Sequence, residues 1–215
     1  MDQDKQTNDA PTETKPEKKV SLGRSSSIVS IMTLLSRVLG LVRDVVVAQY
    51  FGARADAFLV AFKIPNFLRR LFAEGAFSVA FVPVLSEYKS QRSVAEVKVL
   101  IASVSGVLGL ALFLVTVLAL LFAPWLPYVF APGFSGDAEK FALTGNMLRI
   151  TFPYLLFISL TAFAGSILNA YGRFAVPAFT PILLNICLIF STLVMTSWFV
   201  EPLYALAWGV FMAGA

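Results

Sequence analysis

From about residue 26 the chain alternates long apolar runs with short polar or proline-containing breaks. Six apolar segments can be delimited, at about 26–50, 57–85, 97–122, 141–168, 176–199 and 203–215. A membrane-spanning helix needs about 20 mostly apolar residues. The first five segments meet that length. The sixth is still apolar at Ala215, so the chain is expected to stop inside a span and to be a fragment. The second segment is too long for one upright span, since about 29 residues at 1.5 Å each reach about 43 Å. Tilt, or kinks at Pro65 and Gly75, would absorb the excess.

The short connections set an orientation. One side carries Lys15, Lys18, Lys19 and Arg24 before the first segment, then Lys89 and Arg92, then Arg173. The other side has Arg54, Lys140 and a Glu201-Pro202 turn without a basic residue. Basic short loops stay in the cytoplasm, which places the N-terminus there. Tyr50, Trp125, Tyr128 and Trp198 fall at the opposite ends, where interfacial rings belong.

Charge inside the apolar segments is where chemistry is expected, because an intramembrane arginine costs at least a few kcal/mol unless it faces protein or water. In the first segment Arg37 and Asp44 lie about 20° apart on a helical wheel. Ser26, Ser30, Thr33 and Gly40 share their sector, and Ser36 and Arg43 flank it. Ile31, Leu35, Val38, Leu39, Val42, Val45 and Val46 form the opposite, lipid-compatible face. In the second segment Asp56, Lys63, Arg70 and Glu74 align because sevenfold spacing nearly completes two turns; Asn66 sits about 60° and Arg69 about 120° away. Arg69 is roughly 20 Å along that helix, too deep to reach headgroups easily. Arg37, Arg43, Arg69 and Arg70 thus exceed their nearest acidic partners, Asp44 and Glu74. Guanidinium suits phosphate through paired hydrogen bonds, so the pattern points to an intramembrane cavity for an anionic, phosphate-bearing substrate. The competing reading makes Arg43–Asp44 and Arg70–Glu74 structural pairs, with Lys63 and Asp56 at the interface. Ala102, Gly106 and Gly109 suggest a close helix-packing face. Asn169, Asn185 and Arg173 are expected as interhelical hydrogen-bonders or loop residues, and Arg149 as a snorkelling or structural residue.

Composition agrees that lipid is the solvent: 58% of residues are hydrophobic and 14% charged. Five basic residues before position 25 (Lys5, Lys15, Lys18, Lys19, Arg24) cancel five acidic ones (Asp2, Asp4, Asp9, Glu13, Glu17). The net +4 therefore belongs to the apolar part and is no nucleic-acid signature. Residues 1–24 are expected to be a disordered charged tail without a secretory signal. One cysteine, Cys187, and no histidine leave no disulfide, no usual metal site and no usual general base. With no phosphate-binding glycine loop ending in Lys-Ser/Thr, the sequence argues against an enzyme.

The run SRVLGLVRD (36–44), the stretch DAFLVAFKIPNFLRRLFAEGAFSVAFVPVLSEYK (56–89), then APGF (131–134), ITFPY (150–154) and SILNAYGRFAVPAFTPILLN (166–185) resemble the MurJ/MviN family of bacterial lipid II flippases. The resemblance covers nearly everything from about residue 26. The charged tail departs from it.

The resemblance implies an all-α polytopic membrane protein, with about six of fourteen transmembrane helices and most of the first of two lobes. It implies translocation of lipid-linked peptidoglycan precursor (an undecaprenyl diphosphate sugar-peptide) from the cytoplasmic to the periplasmic leaflet of the inner membrane, by alternating access. Substrate-binding roles fall on Arg37, Arg43, Arg69, Ser36 and Asn66, and gating or ion-pair roles on Asp44, Asp56, Arg70 and Glu74. No cofactor is implied for these residues. A sodium site would lie in later helices. Membrane lipids and cell-wall synthesis proteins are the implied partners. The rival readings are an exporter of another lipid-linked polysaccharide or a drug, a phospholipid-modifying enzyme, and a non-transporting scaffold of the cell-wall machinery.

Overall fold

Nine α-helices account for most of the computed structural model, which describes residues 22–70 and 76–215. They are α1 (Leu22–Phe51), α2 (Ala55–Arg69), α3 (Ala76–Gln91), α4 (Val94–Phe122), α5 (Leu126–Phe130), α6 (Ala138–Thr151), α7 (Pro153–Ala170), α8 (Ala175–Val194) and α9 (Tyr204–Gly214). Among the described residues there is no strand. Among the described residues, three helical stretches are long and apolar enough to cross a membrane: Val94–Phe122, Ala138–Ala170 and Ala175–Trp198. The chain is an all-helical membrane protein. The tail before Leu22 and Glu74 with Gly75 lie outside the described residues.

The element boundaries differ from the sequence reading in two places, each with a local cause. Segment 141–168 is two helices, α6 and α7. The break falls at Phe152, because Pro153 brings no N–H to continue the ladder and is at home as the first residue of a new helix. The connection 123–137 contains the short helix α5 and a 3-10 turn at Pro132–Phe134, both opened by prolines. Segment 57–85 is described as α2 and, from Ala76, as α3, and residues 71–75 between them lie outside the described residues. Thr151 touches Ala61, Phe81 packs at a tilt against Phe163 with ring centroids 5.0 Å apart, and Lys89 reaches the Ala170 carbonyl.

The same contacts fix the topology. α2–α3 runs parallel to α6–α7, with Asp56 beside Lys140 at one end and Lys89 beside Ala170 at the other. α1 runs parallel to α8, from the cavity that joins Ile28 to Phe174 to the Arg54–Glu201 ion pair. The α1 start and the α3–α4 and α7–α8 turns therefore share one side, and the α1–α2, α4–α6 and α8–α9 connections share the other. The core lies where α7 and α9 meet α2, α6 and α8, around Tyr154, Leu155, Met147, Leu148, Leu206 and Val210, all at most 1% exposed. α4 presents Val107, Leu110, Phe113, Leu114 and Leu121 outward, as a lipid-facing helix does. The expected packing face there is open: a Cβ added at Gly106 or Gly109 meets nothing within 4 Å.

α4 starts at a capping box. The Ser93 hydroxyl accepts from the Glu96 N–H, and the Glu96 carboxylate accepts from the Ser93 N–H at 2.9 Å. Ser93→Ala is expected to lower stability by about 1 kcal/mol, read as a lower unfolding temperature in detergent. An unchanged temperature would show that lipid-side packing alone starts α4.

Candidate functional site

α8 organises the polar interior. Pro177, Pro181, Asn185 and Leu188 recur at helical spacing and form one stripe on it, and α1 lies along that stripe. Asn185 is 5% exposed and spans the two helices. Its Oδ1 accepts from Arg43 Nη1 at 2.9 Å, and its Nδ2 donates to the Ser36 carbonyl at 2.9 Å. Only this amide orientation works, because arginine is donor-only and a carbonyl acceptor-only. Gly40 faces Asn185 here, and a Cβ on it would lie 3.7 Å from Asn185 Nδ2, an ordinary van der Waals contact. Arg43 also donates through Nε and Nη2 to Asp44 Oδ1, at 2.9 and 2.6 Å.

The other two arginines meet the same stripe nearer the basic side. Arg37 is exposed and lines a cavity of about 490 Å³ with Ser36, Asn169, Pro177 and Pro181. Arg69 is half-buried and lines a cavity of about 340 Å³ with Thr161, Ser166, Asn169, Pro177, Thr180 and Pro181. The two cavities share Asn169, Pro177 and Pro181 and so adjoin. Asn66 Oδ1 accepts from Arg69 Nε at 3.1 Å and steers the guanidinium. Two turns farther along α8, Arg43, Asp44 and Asp56 line a third cavity of about 430 Å³ closed by Phe58, Phe62 and Leu188. Cations from α1 and α2 thus reach three successive turns of α8, with hydroxyl and amide groups between them. Such a surface can bind an extended anion through several donors.

The remaining expected residues are placed less centrally. Asp56 pairs with Lys140 at 3.2 Å and not with an arginine. Arg70 is exposed at the end of α2. Its expected partner Glu74 lies outside the described residues. Arg37 and Asp44, expected on a stripe facing protein or water, are both exposed, and the face of α1 that docks on α8 is that of Ser36, Gly40, Arg43 and Val47. Sequence reasoning missed Lys140 and Glu201 as ion-pair partners and Thr151 as a contact of α2. The first two were visible as charges at helix ends. Their partners depend on which helices neighbour, which one chain's pattern does not encode.

Comparison with known proteins agrees with this architecture. A family model described as lipid II flippase MurJ matches residues 47–215. A probable lipid II flippase MurJ of Buchnera aphidicola is 47% identical over 188 residues, 86% of this chain and 37% of that protein. A probable lipid II flippase MurJ of Haemophilus influenzae is 49% identical over 192 residues, 85% of this chain and 38% of that protein. A lipid II flippase MurJ of Burkholderia cenocepacia is 46% identical over 197 residues, 91% of this chain and 38% of that protein. The solved structure of a lipid II flippase MurJ in an inward closed conformation superimposes with a TM-score of 0.69 at 36% identity, covering 86% of this chain and 40% of that one. The chain spans under two fifths of the length of these sequence relatives, and by residues, helices and family match it belongs to the MurJ family of lipid II flippases.

Proposed function

We propose that this chain serves as the N-terminal part of a lipid II flippase, which carries lipid-linked peptidoglycan precursor across the bacterial inner membrane from the cytoplasmic to the periplasmic leaflet. The observation behind this reading is the convergence of Arg37, Arg43 and Arg69 on the Pro177–Asn185 face of α8. The substrate diphosphate would lie against these guanidinium groups while its polyprenyl tail stays in lipid. Desolvated charge-assisted bonds of this kind contribute about 1.5–3 kcal/mol each. The N-terminus would be cytoplasmic, since Lys89, Arg92 and Arg173 share its side. Alternating access would open the arginine surface to one leaflet at a time, its bias set by the substrate's charge. The role is transport and not bond chemistry.

The test is complementation. The full-length protein, expressed in cells depleted of their own lipid II flippase, should restore growth. Arg37→Ala, Arg43→Ala and Arg69→Ala at matched membrane levels should each fail and lyse. Rescue by all four would keep the transport assignment and reject the arginine surface. Rescue by none, with folded protein in the membrane, would reject the substrate.

A further inference from the structure

Pro65 stands inside α2 and brings no N–H to the helix ladder. The carbonyl that loses its partner is the one four residues earlier, Ala61, which is fully buried. An unpaired backbone carbonyl is costly in a membrane interior, where no water reaches it. The structure supplies a substitute donor from another helix. Thr151, the last residue of α6 and also fully buried, places its hydroxyl 3.2 Å from the Ala61 carbonyl. The same hydroxyl lies 3.4 Å from the Leu148 carbonyl of its own helix. A threonine hydroxyl has one proton, and the bond to Ala61 is the shorter. Thr151 abuts a second proline break, at Phe152-Pro153, and Tyr154 just beyond packs on Phe62 of α2 at 6.0 Å. Two proline interruptions in neighbouring helices are thus joined by one side-chain hydrogen bond. In the turn after Pro65, α2 carries Asn66 and Arg69, which bond to each other, and Arg69 faces the cavity against α7 and α8.

We infer that Thr151 is a positioning residue for Arg69: its hydroxyl replaces the N–H that Pro65 lacks, holds α2 to α6 at that interruption, and so fixes where the Asn66–Arg69 turn points. This rests on the reading of Arg69 as a substrate contact. Thr151 touches no substrate itself. A valine at 151 keeps the shape and removes the donor, whereas a serine keeps it. An alanine at 65 returns the N–H and makes the hydroxyl redundant for the carbonyl, but it removes the interruption.

The experiment uses the full-length protein in detergent, undecaprenyl diphosphate as the probe, and two readouts, unfolding temperature and Kd. Thr151→Val should unfold at lower temperature and bind the probe about tenfold more weakly, the size expected when one buried group is left unpaired. Thr151→Ser should behave as wild type. Thr151→Val combined with Pro65→Ala should regain the unfolding temperature but not the affinity, because the ladder is repaired while the turn is displaced. Wild-type affinity in folded Thr151→Val, or in the double variant should the single one fail to fold, would overturn the inference. Arg69→Ala separates the two claims: its loss of binding beside normal binding by Thr151→Val rejects only the positioning role, and its normal binding rejects the arginine surface and the positioning role together.

Discussion

Gly209→Leu is expected to prevent stable folding of the full-length protein, and Gly209→Ala to destabilise it by about 1–3 kcal/mol, the cost of overpacking a tight interior. Gly209 sits in α9 against α8. A Cβ there would clash with Ser191 Oγ and lie 2.8 Å from Ser191 Cβ and 3.3 Å from the Cys187 carbonyl. The hydroxyl can rotate, but the Ser191 Cβ and the backbone carbonyl cannot move without pushing the helices apart. α8 would then shift against α9, and α8 is the helix on which Arg37, Arg43 and Arg69 converge. Ser191→Gly removes both close atoms at a helix-propensity cost of about 1 kcal/mol. The cycle of Gly209→Ala with Ser191→Gly, followed by thermal unfolding in detergent, should show a coupling of about 1–2 kcal/mol, the double variant being more stable than the sum of the singles. Strict additivity would mean that α9 relaxes elsewhere and that Gly209 is not the contact that sets the α8–α9 spacing.

The legibility of the fold followed the strength of each signal. α4 carries no charge between Lys98 and its end, and a long uninterrupted apolar run has one physical solution in lipid, a spanning helix. Its outer boundary at 122 was accordingly plain. The start of α1 at Leu22 was less so, because Arg24 and three serines precede the apolar run, and helix formation there does not need apolar side chains. Proline was ambiguous in a different way. Pro153 ends α6 and opens α7, Pro65 and Pro181 sit within helices, and Pro127 is the second residue of a five-residue helix. Whether a proline interrupts or terminates depends on whether a neighbouring donor satisfies the freed carbonyl. For Pro65 that donor is Thr151, nearly ninety residues away in sequence.

The site divided along the same line. Arginines in apolar helices announce themselves by their cost, so Arg37, Arg43 and Arg69 could be named from the sequence. Their surroundings could not. Arg43 was expected to face a cavity, with a structural pair to Asp44 as the competing reading, and the structure has it bonded to Asp44 while lining a cavity. Asp56 shares a helical sector with Lys63 and Arg70, yet its partner is Lys140 on α6. Wheel geometry ranks residues of one helix and is silent about the helix beside it. Asn185 was legible as an interhelical hydrogen-bonder from its polarity alone, but not as the partner of Arg43.

That partnership carries the second large prediction. Asn185→Leu removes an acceptor from Arg43 and a donor from the Ser36 carbonyl, and is expected to cost about 1–3 kcal/mol. The two losses can be separated. Asn185→Asp keeps an oxygen for Arg43 but turns the other toward the Ser36 carbonyl, which repels it, so the α1–α8 seam weakens while Arg43 stays anchored. In a cycle of Asn185→Leu with Arg43→Met, unfolding in detergent should give a coupling near the upper end of interhelical hydrogen bonds in membranes, about 1–2 kcal/mol, because one partner is charged. Growth rescue should then rank Arg43→Ala below Asn185→Leu, and Asn185→Leu below Asn185→Asp. Once Asn185 is gone, Asp44 still restrains the guanidinium through Nε and Nη2, so Arg43 remains present but less well aimed. Equal rescue by Asn185→Leu and wild type, with the measured coupling intact, would mean that the bond stabilises the bundle without aiming Arg43 at anything.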